Sequence, residues 1–457
     1  MDRTAGDPSS GTGVTTVVGS PERDRGEPGE QGTERRTILG DRLWPVVVSV
    51  VFVVLAWAYM IEWAPIVRHL QYWTIPGDIW GTYRAAHFVG WGYIGGIYTK
   101  GTGLIAYPGI AVVLSPVAML TSALRLPDSV NPIFLARPKS WLFLGNAVLL
   151  LGITTIFAVN RLAIVLAVRS ATRALLCVAT AVVLWPVIVS WGHPEDCLAL
   201  TFAIFALVEG RRGQWRNAGW LWGFAVAVQP LVLLMFPPAL SAVARGQRIR
   251  TCVRAVLPAT VLLAFPLAMD WHDTVIALTK QPNFPTVDYP TPWIALAPRL
   301  TPLSVAAGPG RMMAMAFAVV LGALLFRWRP RFDALIWCCA VALCARCIFE
   351  SVMDPFYLGP PLVMCLVAAA ARPGRWRLPL SIVFAVAVTV ACTYHRGEWA
   401  YWLIMTVLLA LTLACGWPGR GRIRTVGAGG SSGAGADGAD GPDAVPIGIG
   451  SGADAAG

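Results

Sequence analysis

Long apolar runs that recur along the chain are the feature that most constrains its fold. They occur between residues 43 and 417, and many are near the length of about 20 residues that a helix needs to cross a bilayer. The chain is 56% hydrophobic and only 13% charged, which is more apolar surface than a soluble domain can cover. The sequence therefore predicts an all-α integral membrane protein and excludes an ordinary soluble fold.

The two ends of the chain differ in composition from this apolar region. Residues 1–42 are polar, rich in Gly and Pro and charged with both signs, and residues 418–457 repeat Gly, Ala, Ser and Asp. Neither segment has enough apolar side chains to form a core. We expect both to be disordered cytoplasmic tails that flank one membrane domain at 43–417.

Basic loops between the apolar runs predict the orientation of the chain. Five arginines between residues 23 and 42 precede the first run, and positive charge is enriched on the cytoplasmic side of membrane proteins. Further basic segments lie at 160–173, 211–216, 245–250, 327–331, 372–377 and 419–424. Their alternation predicts roughly twelve crossings, within a range of about ten to thirteen, with both termini in the cytoplasm.

The apolar run at 104–124 does not fit this alternation. A crossing there would place every later basic loop outside, so we expect 65–138 to be one long outer segment. Within it, the run would lie along the outer leaflet or re-enter it. The other helices are expected near 139–159, 174–190, 197–210, 218–229, 231–244, 252–269, 306–326, 332–350, 356–371, 378–394 and 399–417. Short helices such as 197–210 are typical of the border of a cavity at membrane depth.

Asp78 is an isolated carboxylate in the outer stretch PGDIWGTYRAA. As an N-cap it would start a helix at Ile79, since Asp is favoured at that position. A carboxylate among aromatic residues, where the chain leaves the membrane, is nevertheless energetically costly, and such residues generally have a function. One suitably held carboxylate suffices as a general base, so Asp78 is the candidate catalytic residue.

His193, Glu195 and Asp196 form the densest polar cluster of the apolar region, in the outer turn WGHPED. Three interpretations stay open. The cluster binds or orients a substrate, it caps the helix that starts near Cys197, or it contributes to a divalent metal site completed by ligands from elsewhere.

Cations near the outer face are candidates for holding a lipid phosphate. Arg84 and Arg346 offer the bidentate guanidinium that suits a phosphate. The alternatives are interfacial snorkelling and, for Arg346, an ion pair with Glu350 one helical turn later. Glu350 also precedes a helix break before Pro355 and is a second candidate to line the cavity.

Two blocks of the sequence resemble a known superfamily. The series Asp78, Tyr83, Ala86, Gly95 and Tyr98, followed by YPGIAVVLSPVAML at 107–120, is similar to the first outer loop of polytopic glycosyltransferases that use polyprenyl-phosphate sugars. The segment 191–240 resembles that superfamily's acidic outer turn, short helix, basic inner turn and Gly-rich helix ending in a polar residue and Pro. The resemblance is closest to the actinobacterial polyprenyl-phosphate-mannose-dependent α-mannosyltransferases and covers about the first half of the membrane region.

The resemblance implies a C-type glycosyltransferase-like fold with an outward-facing cavity, a polyprenyl-phosphate sugar donor in the outer leaflet, and inversion at the anomeric carbon. Asp78 matches the catalytic base of the family, and Asp196 or its neighbour Glu195 matches the second acidic position. Gln229 stands where relatives often have Lys before Pro. The remaining substrate-binding candidates are Arg84, Tyr98, Tyr107, His193, Arg346 and Glu350.

We therefore expect a hexosyltransferase, a mannosyltransferase by resemblance, that works at the outer face of the plasma membrane on a cell-envelope glycolipid or lipid-linked glycan. Its expected partners are the two lipid substrates and the bilayer, with no nucleic acid and no resident cofactor. The alternatives are a lipid or solute transporter, which broken helices and a polar cavity suit equally, and a catalytically inactive membrane scaffold. A transporter would show openings on opposite sides or internal repeats.

Overall fold

The computed structural model describes residues 28–59, 78–99, 104, 106–126, 140–285, 289–328, 330–392 and 398–419. Within these ranges the chain is helical apart from one small sheet. The α-helices are α1 (Pro28–Ala58), α2 (Ile79–Gly90), α3 (Pro108–Ala123), α4 (Trp141–Val165), α5 (Ser170–Trp185), α6 (Pro194–Arg211), α7 (Trp215–Val228), α8 (Phe236–Leu240), α9 (Arg248–Met269), α10 (Trp271–Thr279), α11 (Gly308–Trp328), α12 (Phe332–Phe349), α13 (Gly359–Ala370), α14 (Arg377–Ala391) and α15 (Glu398–Cys415).

Within the described ranges, five segments are long and apolar enough to cross a membrane. They are Leu142–Val165, Ser170–Trp191, Arg245–Met269, Gly308–Trp328 and Phe332–Phe349. Five shorter apolar helices of 10–17 residues accompany them, in α1, α3, α13, α14 and α15. Large apolar side chains such as Val256, Val261 and Val320 are exposed on these helices, as a lipid environment requires. This architecture is compatible with an all-α membrane protein, while the number of crossings stays a prediction.

Two expectations about the helices need correction. The segment 231–244 is not one helix, because a 3₁₀ turn at Pro230–Leu234 is followed by the five-residue α8. Pro230, Pro237 and Pro238 lack the backbone N–H groups that a continuous helix needs. Helix α1 begins at Pro28, so part of the segment expected to be a disordered tail is helical, since extending an existing helix costs far less than nucleating one. Residues 1–27 and 420–457 of the expected tails lie outside the described residues.

Helices α2 and α3 form a pair in the segment predicted to lie outside. The hydroxyl groups of Tyr83 and Thr121 hydrogen-bond each other between the two helices, and Ser122 Oγ lies 3.1 Å from His87 Nδ1. Helix α3 has 16 residues, or about 24 Å at 1.5 Å per residue, which is shorter than the hydrocarbon core of roughly 30 Å. Its length suits the predicted interfacial or re-entrant placement, which stays a prediction.

A small antiparallel sheet follows α10, in a region where the sequence predicts a loop. Its strands are β1 (Pro282–Asn283), β2 (Arg299–Thr301) and β3 (Ser304–Ala306), with β3 in the centre. Strand β1 and the segment between β1 and β2 hold the chain that leaves α12, because Asn283 Nδ2 donates to Ser351 Oγ at 2.9 Å and Thr291 Oγ1 donates to the Glu350 carbonyl at 2.6 Å. Position 350 is thereby fixed at the end of α12.

Candidate functional site

The turn between α5 and α6 presents His193 to the interior. Helix α5 continues into a π-helical segment, Pro186–Trp191, and Gly192 then takes a left-handed conformation with φ of 73°. Such wide turns are frequent at functional sites, and glycine adopts positive φ without steric cost. Pro194 occupies the first helical position of α6 and Glu195 the first turn, where Pro and acidic residues are both favoured.

His193 lies between two carboxylates. Its Nε2 is 3.0 Å from Asp78 Oδ2 and its Nδ1 is 2.6 Å from Glu195 Oε1. The His193 side chain is 4% exposed, whereas the Asp78 side chain is 43% exposed. The imidazole also stacks on the ring of Phe356, with centroids 3.7 Å apart and planes 15° apart. The result is a fixed chain of three side chains whose outer end, Asp78, is accessible.

The contacts between Asp78, His193 and Glu195 shift the pKa values of Asp78 and His193 in opposite directions. Desolvation raises the pKa of Asp78, but the hydrogen bond and the charge of His193 outweigh it, so the pKa of Asp78 is lower than its ordinary value. Burial alone would lower the pKa of His193. The opposing effect is larger, because His193 lies beside the charges of Glu195 and Asp78 and forms hydrogen bonds with both, so its pKa is raised well above 6.5. At neutral pH Asp78 is therefore ionised, and both ring nitrogens of His193 carry a proton to donate.

A cavity of about 290 Å³ adjoins this chain of side chains. Its polar lining consists of Tyr107, His193, Glu195, Gln229, Gln281, Arg311, Arg346 and Tyr357. Its apolar lining includes Leu231, Leu234, Leu278, Met315 and Phe356. Asp78 is not among the lining residues and meets the cavity through His193. A few convergent polar groups in an otherwise apolar hollow are typical of a ligand site.

Two arginines of the cavity share one buried carboxylate. Arg311 Nε donates to Glu350 Oε1 at 2.7 Å, and Arg346 Nε lies 3.5 Å from Glu350 Oε2. The Glu350 side chain is fully buried, whereas those of Arg346 and Arg311 are 12% and 34% exposed. The Arg346 guanidinium also lies 3.8 Å over the ring of Tyr357. Two guanidinium groups against one carboxylate leave a net positive charge at the cavity wall, which suits an anion.

The acidic pair in the first turn of α6 has unused acceptor capacity. Gln229 Nε2 donates to Asp196 Oδ1 at 3.0 Å, but the buried oxygens Glu195 Oε2 and Asp196 Oδ2 have no hydrogen-bond partner among the described residues. A buried acceptor without a partner is costly. Hydroxyl groups of a ligand would satisfy such oxygens, at least at Glu195, which lines the cavity.

Most of the predicted site residues come together. Eight of them line the cavity or contact a lining residue directly through a hydrogen bond or ion pair: Asp78, Tyr107, His193, Glu195, Asp196, Gln229, Arg346 and Glu350. Asp196 reaches the cavity through Gln229. The side chain of Asp78 makes no capping hydrogen bond to α2, so its hydrogen-bond partner is His193 and not the helix.

Two predicted residues do not reach the cavity. Arg84 is exposed on α2 and, like the other residues of α2, does not line the cavity. Tyr98 is buried, and its hydroxyl donates to the Ala106 carbonyl at 3.0 Å, which ties down the chain before α3. The structure therefore gives neither residue a contact with a cavity ligand.

Among the lining residues that were not expected from the sequence are Gln281, Arg311, Phe356 and Tyr357. Arg311 begins an apolar run on the side predicted to be outside, where a basic residue departs from the cytoplasmic charge bias. That departure was the available signal. Gly310 brings α11 against α12, because a Cβ there would clash with the Phe349 carbonyl. Phe356 and Tyr357 follow Glu350 in the same outer turn, but aromatic residues there are ordinary interface anchors.

Among the residues that the structure describes, no group of three or more His, Cys, Asp or Glu side chains is arranged to hold a metal ion. The chemistry available to the site is that of an accessible carboxylate held by an imidazolium, beside paired guanidinium groups and unsatisfied acceptors.

Comparisons of the chain with protein-family models, with curated proteins and with solved structures found no match.

Proposed function

We propose that this protein is an inverting membrane glycosyltransferase that moves a sugar, mannose by resemblance, from a polyprenyl-phosphate donor to a hydroxyl group of a cell-envelope glycolipid or lipid-linked glycan. The observation that carries the proposal is the chain Asp78–His193–Glu195 beside a cavity that also holds Arg311 and Arg346. A base and an anion site are the two elements that this reaction requires.

Asp78 acts as the base in this proposal. The acceptor hydroxyl transfers its proton to Asp78 as its oxygen bonds to the anomeric carbon from the face opposite the phosphate. His193 occupies Oδ2 of Asp78, which leaves Oδ1 for the acceptor. Glu195 holds the imidazolium from the other side, so the carboxylate of Asp78 is oriented before substrate binds, as efficient catalysis requires.

Arg311 and Arg346 receive the leaving group. The bond between the anomeric carbon and the phosphate oxygen breaks, and the electron pair leaves with the polyprenyl phosphate. Charge that develops on that oxygen is stabilised by the two guanidinium groups, which Glu350 holds in place. A phosphate ester is already a good leaving group, so positioning and electrostatics can supply most of the catalysis without a cofactor.

The sugar would lie between Asp78 and the guanidinium groups of Arg311 and Arg346. Glu195 Oε2 is buried in the cavity wall without a partner among the described residues, and it would accept a hydrogen bond from a sugar hydroxyl group. Gln229, also in the wall, donates to Asp196 through one N–H and has a second N–H for the sugar. These contacts would orient the anomeric carbon toward Asp78.

A transporter is the second candidate, and one observation favours it. A second cavity, of about 600 Å³, is lined by Arg211 at the end of α6, Trp215 at the start of α7 and Phe332 at the start of α12. The first cavity lies at the other ends of the same three helices. Helix α6 has 18 residues, which is about 27 Å at 1.5 Å per residue, so the cavities open at opposite ends of the helices, as alternating access would need.

One experiment separates the two functions. Purified protein in nanodiscs receives labelled polyprenyl-phosphate mannose or labelled nucleotide mannose, each with envelope lipids, and the same protein in sealed proteoliposomes is tested for uptake of the labelled donor. We expect a new mannosylated lipid with the polyprenyl donor alone. Transbilayer movement of label without a new glycosidic bond would support the transporter, and the absence of both would contradict both.

A further inference from the structure

The second cavity is a chemically distinct site at the end of the molecule that carries the basic loops. Its lining combines Arg211, Arg245 and Arg248 with the aromatic residues Trp215, Trp222 and Phe236. None of these residues belongs to the proposed catalytic site. A volume of about 600 Å³ is far more than one phosphate group needs, and lies within the roughly 300–1,000 Å³ of sites for larger ligands.

Two of the three arginines are held by aromatic rings. The Arg248 guanidinium lies 4.5 Å over the ring of Phe326, and the Arg211 guanidinium lies 5.4 Å over the ring of Phe332. Stacking on a ring face leaves the in-plane N–H groups of a guanidinium available. The Nε of Arg248 donates to the Val243 carbonyl at 3.1 Å, which leaves its terminal N–H groups for another acceptor.

The positive charge of the cavity is not neutralised by acidic side chains in the part of the chain that the structure describes. Within the described part of the chain, Arg211, Arg245 and Arg248 form no ion pair with a carboxylate. Two acids near this end are already engaged, since Glu209 pairs with Arg212 at 2.8 Å and Asp333 with Arg372 at 2.6 Å. Three guanidinium groups therefore converge on one hollow without a carboxylate counter-ion among the described residues.

The rest of the lining is apolar and extends into the helix bundle. Trp222 is buried and packs edge-on against Phe236, with ring centroids 5.5 Å apart. Leu207 and Leu335 continue the apolar wall between α6 and α12. A ligand that fits must thus be anionic at the mouth and apolar farther in. Basic pockets between membrane helices that have this layout bind lipid head groups.

We infer that this cavity binds an anionic membrane phospholipid, with the head-group phosphate held by Arg211, Arg245 and Arg248 and part of an acyl chain lying against Trp222 and Phe236. The inference does not depend on the proposed glycosyl transfer, because it concerns the opposite ends of the helices. The bound lipid would fix the turn between α8 and α9 against the ends of α6 and α12.

The test uses the delipidated full-length protein in a neutral detergent, with native mass spectrometry as the readout of the first lipid bound. Phosphatidylglycerol is compared with phosphatidylcholine of the same acyl chains. The variant Arg245→Gln/Arg248→Gln removes two contacts, and Arg211→Gln gives an independent reading if the double variant is unstable. Arg250→Gln is the matched control, because Arg250 is an exposed arginine of the same helix α9 that does not line the cavity.

We expect the wild type to bind phosphatidylglycerol about tenfold or more tightly than phosphatidylcholine. The double variant should lose this preference, Arg211→Gln should weaken it, and Arg250→Gln should retain it. Equal affinity for the two lipids in the wild type would overturn the inference, as would an equal loss in Arg250→Gln. Displacement of the lipid by glycerol 3-phosphate at matched concentration would instead assign the site to a soluble phosphate compound and overturn the lipid assignment.

Discussion

Asp78 and His193 are 115 residues apart in the chain, and a 3.0 Å contact between Asp78 Oδ2 and His193 Nε2 joins them. This contact links the segment before α2 to the turn before α6. It converts an isolated carboxylate into one end of a charged chain that continues through Nδ1 of His193 to Glu195. The properties of Asp78 are therefore set by a residue in a distant segment.

Replacement of His193 by Gln should shift the acid limb of the pH–rate profile. The pKa of Asp78 is held below its ordinary value by the hydrogen bond and the charge of His193 against the opposing effect of desolvation. Without the imidazolium, the pKa of Asp78 rises, and kcat/KM should begin to fall at a higher pH than in the wild type as the solution is acidified. An acid limb that does not move would show that His193 does not control the ionisation of Asp78.

The stabilisation that His193 provides should depend on pH with a definite sign. Its pKa in the folded protein is raised well above the value of 6.5 for the unfolded chain. The contribution is thus fully present below the unfolded pKa and is lost as the pH rises through the folded pKa. We expect the difference in Tm between the wild type and His193→Gln to be largest at acidic pH and to shrink in alkaline solution. A difference that grows with pH would have the wrong sign.

Arg346→Gln should weaken binding of the polyprenyl-phosphate donor. The guanidinium of Arg346 lines the cavity over the ring of Tyr357, so its loss removes a charge-assisted contact to the phosphate that is worth about tenfold or more in affinity. Arg299→Gln, at an exposed position in β2, is the matched control. Binding of a non-transferable polyprenyl-phosphate analogue measures the effect, and equal losses in the two variants would exclude a specific phosphate site.

Gly310→Ala should destabilise the junction of α11 and α12. A Cβ at position 310 would clash with the Phe349 carbonyl, whereas one at Gly308 would be 3.8 Å from the nearest atom, Cδ of Pro298. Overpacking of this kind costs about 1–3 kcal/mol. Thermal unfolding should therefore show a lower Tm for Gly310→Ala than for the control Gly308→Ala. Because Arg311 is the next residue, the affinity for the donor should fall together with the Tm in Gly310→Ala. If the Tm and the affinity both stay unchanged, the packing argument is contradicted.

The helical architecture follows from local features of the sequence. Apolar runs near membrane length predict α4, α9, α11 and α12 to within a few residues at most ends. The break at Pro230 was predicted, but 231–244 was expected to form one helix because the apolar pattern continues through it, whereas the prolines at 237 and 238 lack the backbone donors that a continuous helix needs. The three-stranded sheet was missed because strands of two or three residues are too short to show the alternation that predicts a strand.

The candidate site could be predicted only in part, for a different reason. Asp78, His193 and Glu195 stand out locally, because acids and histidine are rare in an apolar chain. Their arrangement depends on tertiary structure, and the sequence alone left capping of α2 open as an alternative role for Asp78. Arg311 was missed because its partner Glu350 is 39 residues later, and the close approach of α11 to α12 that unites them depends on a glycine. Arg84 was included for its charge alone and is exposed.

The central claim is that Asp78 removes the proton of the acceptor hydroxyl group, and Asp78→Asn tests it most directly. Asparagine keeps the size of the side chain and a carbonyl oxygen for His193 but cannot take up the proton. The matched control is Asp273→Asn, which changes an Asp of α10 outside the cavity. The single-turnover rate of mannose transfer should fall by about 10²–10⁴-fold in Asp78→Asn, with donor affinity close to that of the wild type. A rate equal to that of Asp273→Asn would contradict the account.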